Sequence, residues 1–132
     1  MTSTDLATIE GITPFFIVRD LAAALAFYRD KLGFEVTFTG PADDPFFGIV
    51  RRERAMLMLK NVGVDPLPNS HRDPSARWDA YVYAPNPDAL AAEFNSRHVE
   101  FSNPLKDTHD GLRGFEVTDS DGYVLFFGRP RE

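Results

Sequence analysis

His71 stands two residues before Asp73, and His109 directly precedes Asp110. A histidine beside a carboxylate is the pairing that general acid–base chemistry uses, because the acid orients the ring and stabilises its proton. Both pairs fall in segments rich in Pro, Asp, Asn and Ser, which predict loops, and loop residues of these types are mostly surface groups. His98 closes an amphipathic stretch, where a cation favours the helix C-terminus. Asp79 opens an apolar run. It is either a donor for a metal or ligand, or a strand-end acid pairing with Arg77 or Arg113. The chain has no cysteine, which excludes disulfides, thiolate metal sites and cysteine nucleophiles. No catalytic residue is assigned on these grounds.

The elements that would position such residues occur twice. Phe15 to Glu35 reads as a strand, a turn at Arg19-Asp20, a helix and a return at Leu32-Gly33-Phe34. Ala80 to Phe101 repeats that order, with its turn at Pro85-Asn86-Pro87 and its return at His98-Val99. Asp20 and Asn86 are matching helix-start residues, half a chain length apart in a sequence of 132. Their side-chain oxygens can accept the first free amide protons of a helix. Leu21, Leu25, Tyr28 and Leu32 form one helical stripe, which Gly33 would end. Leu90, Ala91 and Phe94 form the second stripe, with Pro87 at its first position. These patterns predict helices Leu21–Leu32 and Asp88–Arg97.

Strands are predicted at Ile12–Val18, Phe34–Thr39, Phe46–Arg51 and Ala55–Lys60. In the second half they are predicted at Trp78–Ala84, Val99–Phe101, Arg113–Thr118 and Tyr123–Gly128. Arg51–Arg54 would be a solvated turn, and Asn103–Gly111 a polar loop. Residues 63–77, with three prolines, read as a loosely held linker. The whole is one domain over 1–132, an α+β chain of two β-α-β-β-β modules at about 10–62 and 78–130.

Three segments carry a resemblance: ITPFFIVRDLAAALAFYRDKLGF (12–34), WDAYVYAPNPDALAAEF (78–94) and GLRGFEVTDSDGYVLFFG (111–128). They resemble the glyoxalase, bleomycin-resistance and extradiol-dioxygenase superfamily, the vicinal oxygen chelate proteins, and the last segment is closest to the bleomycin-resistance branch. The resemblance implies two curved, mainly antiparallel sheets around a cup, with helices outside. It also implies where metal-dependent members place their His, Gln or Glu ligands. Those positions fall here on Thr13, Met58, Asp79 and Phe126. Only Asp79 can donate to a hard cation, so no metal and no cofactor are expected. The family pattern Gly-Leu-Arg-Glu-Phe is Gly111-Leu112-Arg113-Gly114-Phe115 here. Arg113 could hold a ligand carboxylate or pair an acid at a sheet edge.

Strand alternation then selects the cup-facing residues. They are Thr13, Phe15 and Ile17, then Met56 and Met58, then Asp79, Tyr81 and Tyr83, then Phe126 with Val124. Together with Arg113 they are expected to bind a ligand in one mostly apolar cavity. The first expectation for function is a metal-free small-molecule-binding protein. It would sequester an aromatic or amphipathic ligand, cationic antibiotics among the candidates, in a groove at a homodimer interface. The alternatives are a metal-dependent lyase, isomerase or dioxygenase of the same superfamily, and a dimeric scaffold that binds no ligand.

The net charge of −6 disfavours nucleic acid, whose backbone needs a basic footprint. No stretch of about 18 apolar residues predicts a membrane span. The start Met1-Thr2-Ser3-Thr4-Asp5 lacks a basic-then-apolar pattern, so the cytoplasm is the expected compartment.

Overall fold

The computed structural model describes residues 6–132; the opening pentapeptide lies outside them. Strand β1 (Phe15–Ile17) leads to helix α1 (Leu21–Ala26), which widens into a π-helical turn over Phe27–Lys31. Strands β2 (Glu35–Gly40), β3 (Phe47–Arg52) and β4 (Ala55–Lys60) complete the first module. Helix α2 (Asn69–Arg72) lies between the modules. The second module is β5 (Ala80–Tyr83), α3 (Pro87–Ser96), β6 (Asn103–Asp107), β7 (Leu112–Thr118) and β8 (Val124–Pro130).

Each module forms its own open four-stranded sheet, in the orders β1-β4-β3-β2 and β5-β8-β7-β6. Within each, only the first and last strands pair parallel; the other neighbours are antiparallel. The chain is thus an α+β protein of two β-α-β-β-β units. The helix starts use the same chemistry twice: Asp20 Oδ1 accepts from Ala23 N and Asn86 Oδ1 from Ala89 N, both at 3.1 Å.

Helices cover one face of each sheet. Leu21, Leu25, Tyr28 and Leu32 are all buried, although the stripe runs through the widened turn. Phe94 of α3 meets Phe115 and Phe127 edge-on at 5.7 and 5.2 Å. These side chains belong to one continuous core that both modules share.

Several polar contacts join the modules. The Tyr28 hydroxyl donates to the buried Asp119 carboxylate at 2.5 Å. Beside it, Tyr123 stacks on Phe16 at 4.1 Å, donates to the carbonyl of Ile17 at 2.6 Å, and Asp121 accepts the amide of Arg19 at 2.9 Å. At the other end, Arg52 grips Glu93 of α3 through two 2.8 Å bonds and also donates to the carbonyl of Leu32. The Asp119-Ser120-Asp121-Gly122 turn is therefore a structural clasp as well as a hairpin.

Four sequence expectations need correction. Arg52 is not part of a solvated turn; it ends β3 half-buried, with its guanidinium paired to Glu93 across the module boundary. Residues 99–101 form no strand; the last edge strand starts at Asn103, inside the segment predicted as a polar loop. Its backbone pairs with β7 through an irregular register, while its polar side chains remain solvated, so no apolar alternation announces it. The linker is held down: Pro66 and Pro68 are buried, Pro68 lies against Gly122, and α2 forms within it. Helix one is α-helical only to Ala26 before its π turn.

Candidate binding surfaces

Alternation divides each sheet into a helix-packed face and a second, concave face. On β1 and β4, Phe16, Leu57 and Leu59 go to the core. Phe15 and Met58 are side-by-side partners on the other face, with Ile49 next to Met58 and Phe47 6.2 Å from Phe15. Thr13, Ile17 and Met56 lie half-buried along the same side. Phe15 is 52% exposed, a large value for an aromatic in a sheet.

On the second sheet, Phe115, Val117, Leu125 and Phe127 face the helix. Tyr81, Phe126 and Glu116 are cross-strand neighbours on the opposite side. Tyr81 and Tyr83 are 40% and 64% exposed, but Phe126 is only 2% exposed. Two features bury it. Trp78 lies nearly parallel over it at 4.6 Å, with Tyr81 beside it at 5.3 Å. Beneath it, Gly114 and Gly128 are paired across the strands. A Cβ on either would stand 2.5 Å from a Phe126 ring atom. The glycine that departs from the family's Gly-Leu-Arg-Glu-Phe pattern is thus the space into which Phe126 lies.

Within one chain the expected cleft residues divide between the two sheets. Phe15, Met56 and Met58 lie on one sheet and Tyr81, Tyr83 and Phe126 on the other. Arg113 belongs to neither concave face. It alternates toward α3, where it binds Asp88 at 2.8 and 2.9 Å and Asp107 at 3.1 Å. Those two carboxylates raise its pKa further above its already high value. Asp79 pairs with no arginine. One of its oxygens accepts the amide of Asn69 and the other that of Val124, both at 2.8 Å, so it staples the linker to the start of β8.

One concavity in the chain, of about 590 Å³, is lined by residues of β6, β7 and the linker. Its lining mixes charged and apolar groups. Arg77, Asn103, Lys106, His109 and Glu116 line it, and Val124 is the one apolar residue expected from alternation that reaches it. Sequence reasoning passed over Trp78, Arg77 and Glu116. Glu116 was detectable, because it alternates with Phe115 and Val117 and must face away from the core. Its carboxylate accepts the Trp78 indole N–H at 3.1 Å. Of the histidine pairs, His109 reaches the cavity, but its neighbour Asp110 is engaged by the Thr108 hydroxyl and Arg77. Those bonds hold the Asp110 pKa down at about 2. A carboxylate so committed is a poor base.

The metal positions of the resembling family do not fit a metal here. Thr13 offers a hydroxyl, Met58 a thioether, and Phe126 fills its place with a ring. Both Asp79 oxygens already serve backbone amides. Among the described residues no three His, Asp or Glu side chains converge as a metal cluster, and none of the helices is long and apolar enough to cross a membrane.

Residues 9–127 match the Glyoxalase/Bleomycin resistance protein/Dioxygenase superfamily, and the chain belongs to it. Among solved structures, it is 26% identical to the bleomycin-binding protein of bleomycin-producing Streptomyces verticillus complexed with copper(II)-bleomycin. That match covers 92% of this chain and 97% of the other, with a TM-score of 0.67. It is 23% identical to TnmS3, an antibiotic-binding protein from Streptomyces sp. CB03234, over 94% and 99% of the two chains at TM-score 0.64. A glyoxalase-related enzyme from Clostridium phytofermentans has the same fold at TM-score 0.73 and 14% identity, over 94% and 97%. No curated protein sequence matches the chain.

Proposed function

We propose that this protein binds and sequesters an aromatic or amphipathic small molecule without a metal, in a groove that two copies complete. The observation that carries this reading is the state of the four family ligand positions. Met58 and Phe126 offer no oxygen or nitrogen donor, Thr13 only a neutral hydroxyl, and Asp79 has both oxygens on backbone amides. The surfaces around them are aromatic and solvent-facing, with Phe15, Tyr81 and Tyr83 presenting rings outward. Exposed aromatic faces of this extent on a small domain usually mark a ligand site or an interface. Each sheet offers half a cup, and a two-fold partner is the commonest way to supply the other half. The 26% identical relative is a bleomycin-binding protein, which supports drug-like ligands as the class.

The test is thermal unfolding with and without bleomycin. A ligand that binds only the folded state adds about 2.7 kcal/mol at a concentration a hundredfold above its Kd. For a chain of this length that raises Tm by about 10 °C. A melting curve that bleomycin and other aromatic antibiotics leave in place would refute the proposal.

A further inference from the structure

Trp78 is the chain's one tryptophan, and both faces of its ring are covered. Phe126 lies against one face. The guanidinium carbon of Arg77 stands 4.3 Å from the ring centre. A near-parallel ring at 4.6 Å leaves no room for it on the same side, so it occupies the outer face. The two coverings differ in kind. Phe126 is fixed in the sheet. Arg77 is half-exposed and held by one ion pair, to Asp110; solvent-exposed pairs of this kind are weak.

The parts beneath Arg77 are, by contrast, locked. Glu116 holds the indole N–H at 3.1 Å, and the Thr108 hydroxyl holds Asp110. The cavity of about 590 Å³ includes Glu116, Thr108 and Arg77 in its wall. A fixed aromatic face next to a fixed carboxylate is the arrangement that recognises a flat organic cation, by cation–π attraction and a charge-assisted hydrogen bond. With Arg77 turned aside, Glu116 and Lys106 share the cavity wall, Asp110 loses its ion-pair partner, and Asp107 pairs with Arg113.

We propose that Arg77 is an internal stand-in, and that Trp78 with Asp110 forms a site for a planar organic cation, an amidinium or guanidinium group, which displaces it. The proposal rests on the small-molecule-binding reading above and names the chemistry of one end of its ligand.

Because Trp78 is the sole tryptophan, its emission reports on this site alone. The experiment titrates the protein with benzamidinium, and with benzamide as a neutral probe of nearly the same shape. It is run on the unmodified chain, on Arg77→Ala, on Arg77→Gln and on Asp110→Asn. Benzamidinium is expected to change the Trp78 emission saturably and benzamide much less. Both Arg77 variants should bind benzamidinium at least about threefold tighter, since the competing cation is gone, and Asp110→Asn should lose the preference for the charged probe. The proposal is overturned if benzamidinium gives no saturable change, if the two probes behave alike on the unmodified chain, if the Arg77 variants bind no tighter, or if Asp110→Asn keeps the preference. Bleomycin melts of the same proteins separate the two readings. A retained bleomycin shift with any of those failures sinks this site alone, whereas an unmodified chain whose melt neither bleomycin nor other aromatic antibiotics move sinks the binding function itself.

Discussion

At the scale of single residues, Phe126 is the point where the ancestral cup and this chain part. Its ring stands where the family resemblance implies a ligand carboxylate, lies over Gly114 and Gly128, and is roofed by Trp78. Phe126→Glu would put an unpaired charge under that roof, and denaturant unfolding should show a loss of about 3 kcal/mol or more. A variant as stable as the parent would show that the ring is not buried as described. Gly114→Ala should also destabilise, since its Cβ would meet the Phe126 ring. Asp119 gives a pH signature. Burial raises its pKa to about 6, against the opposing bonds from Tyr28 and two backbone amides. The folded state therefore binds this proton more tightly than the unfolded chain does. The resulting stability is fully present below the unfolded value of 3.8 and is lost as pH rises through about 6. Asp119→Asn should abolish that part of the slope, measured as the difference between the two proteins' stability curves over that window. Parallel curves would contradict the raised pKa.

At the scale of elements, helices and central strands were legible because their signals are local. Asp20 and Asn86 advertise helix starts, and both do accept the expected amides. Apolar stripes and alternation located the core faces of β4, β7 and β8. What stayed hidden depends on distant partners. Arg52 looks like any charge in a turn until Glu93, remote in sequence, is placed beside it. The strand β6 carries no apolar alternation because it is a polar edge. Arg113 reads as a cup residue from the motif, but it sits one residue out of phase with Glu116 and so points at α3. Alternation likewise assigns faces, not the orientation of one sheet to another. The Arg52–Glu93 pair is the element-level test. Glu93→Gln should cost about 1–2 kcal/mol, the worth of a charge-assisted bond made between half-buried groups. Chemical denaturation reads this directly, and a neutral result would mean the pair does not join the modules energetically.

At the scale of the whole molecule, exposed aromatics on both sheets are what a second chain would cover. Phe15, Phe38, Tyr81 and Tyr83 are too exposed to be explained by the core of one protomer. We expect a homodimer near twice 14.8 kDa, and light scattering that finds only the monomer at micromolar concentration would count against it. By two-fold symmetry such a dimer has two equivalent grooves. The most direct test of metal-free binding is a calorimetric titration of metal-free bleomycin into protein dialysed against EDTA, with EDTA kept in both solutions. The account predicts saturable heat with one ligand per chain. Absence of heat under these conditions, with binding appearing only after a divalent metal is restored to the protein, would contradict it.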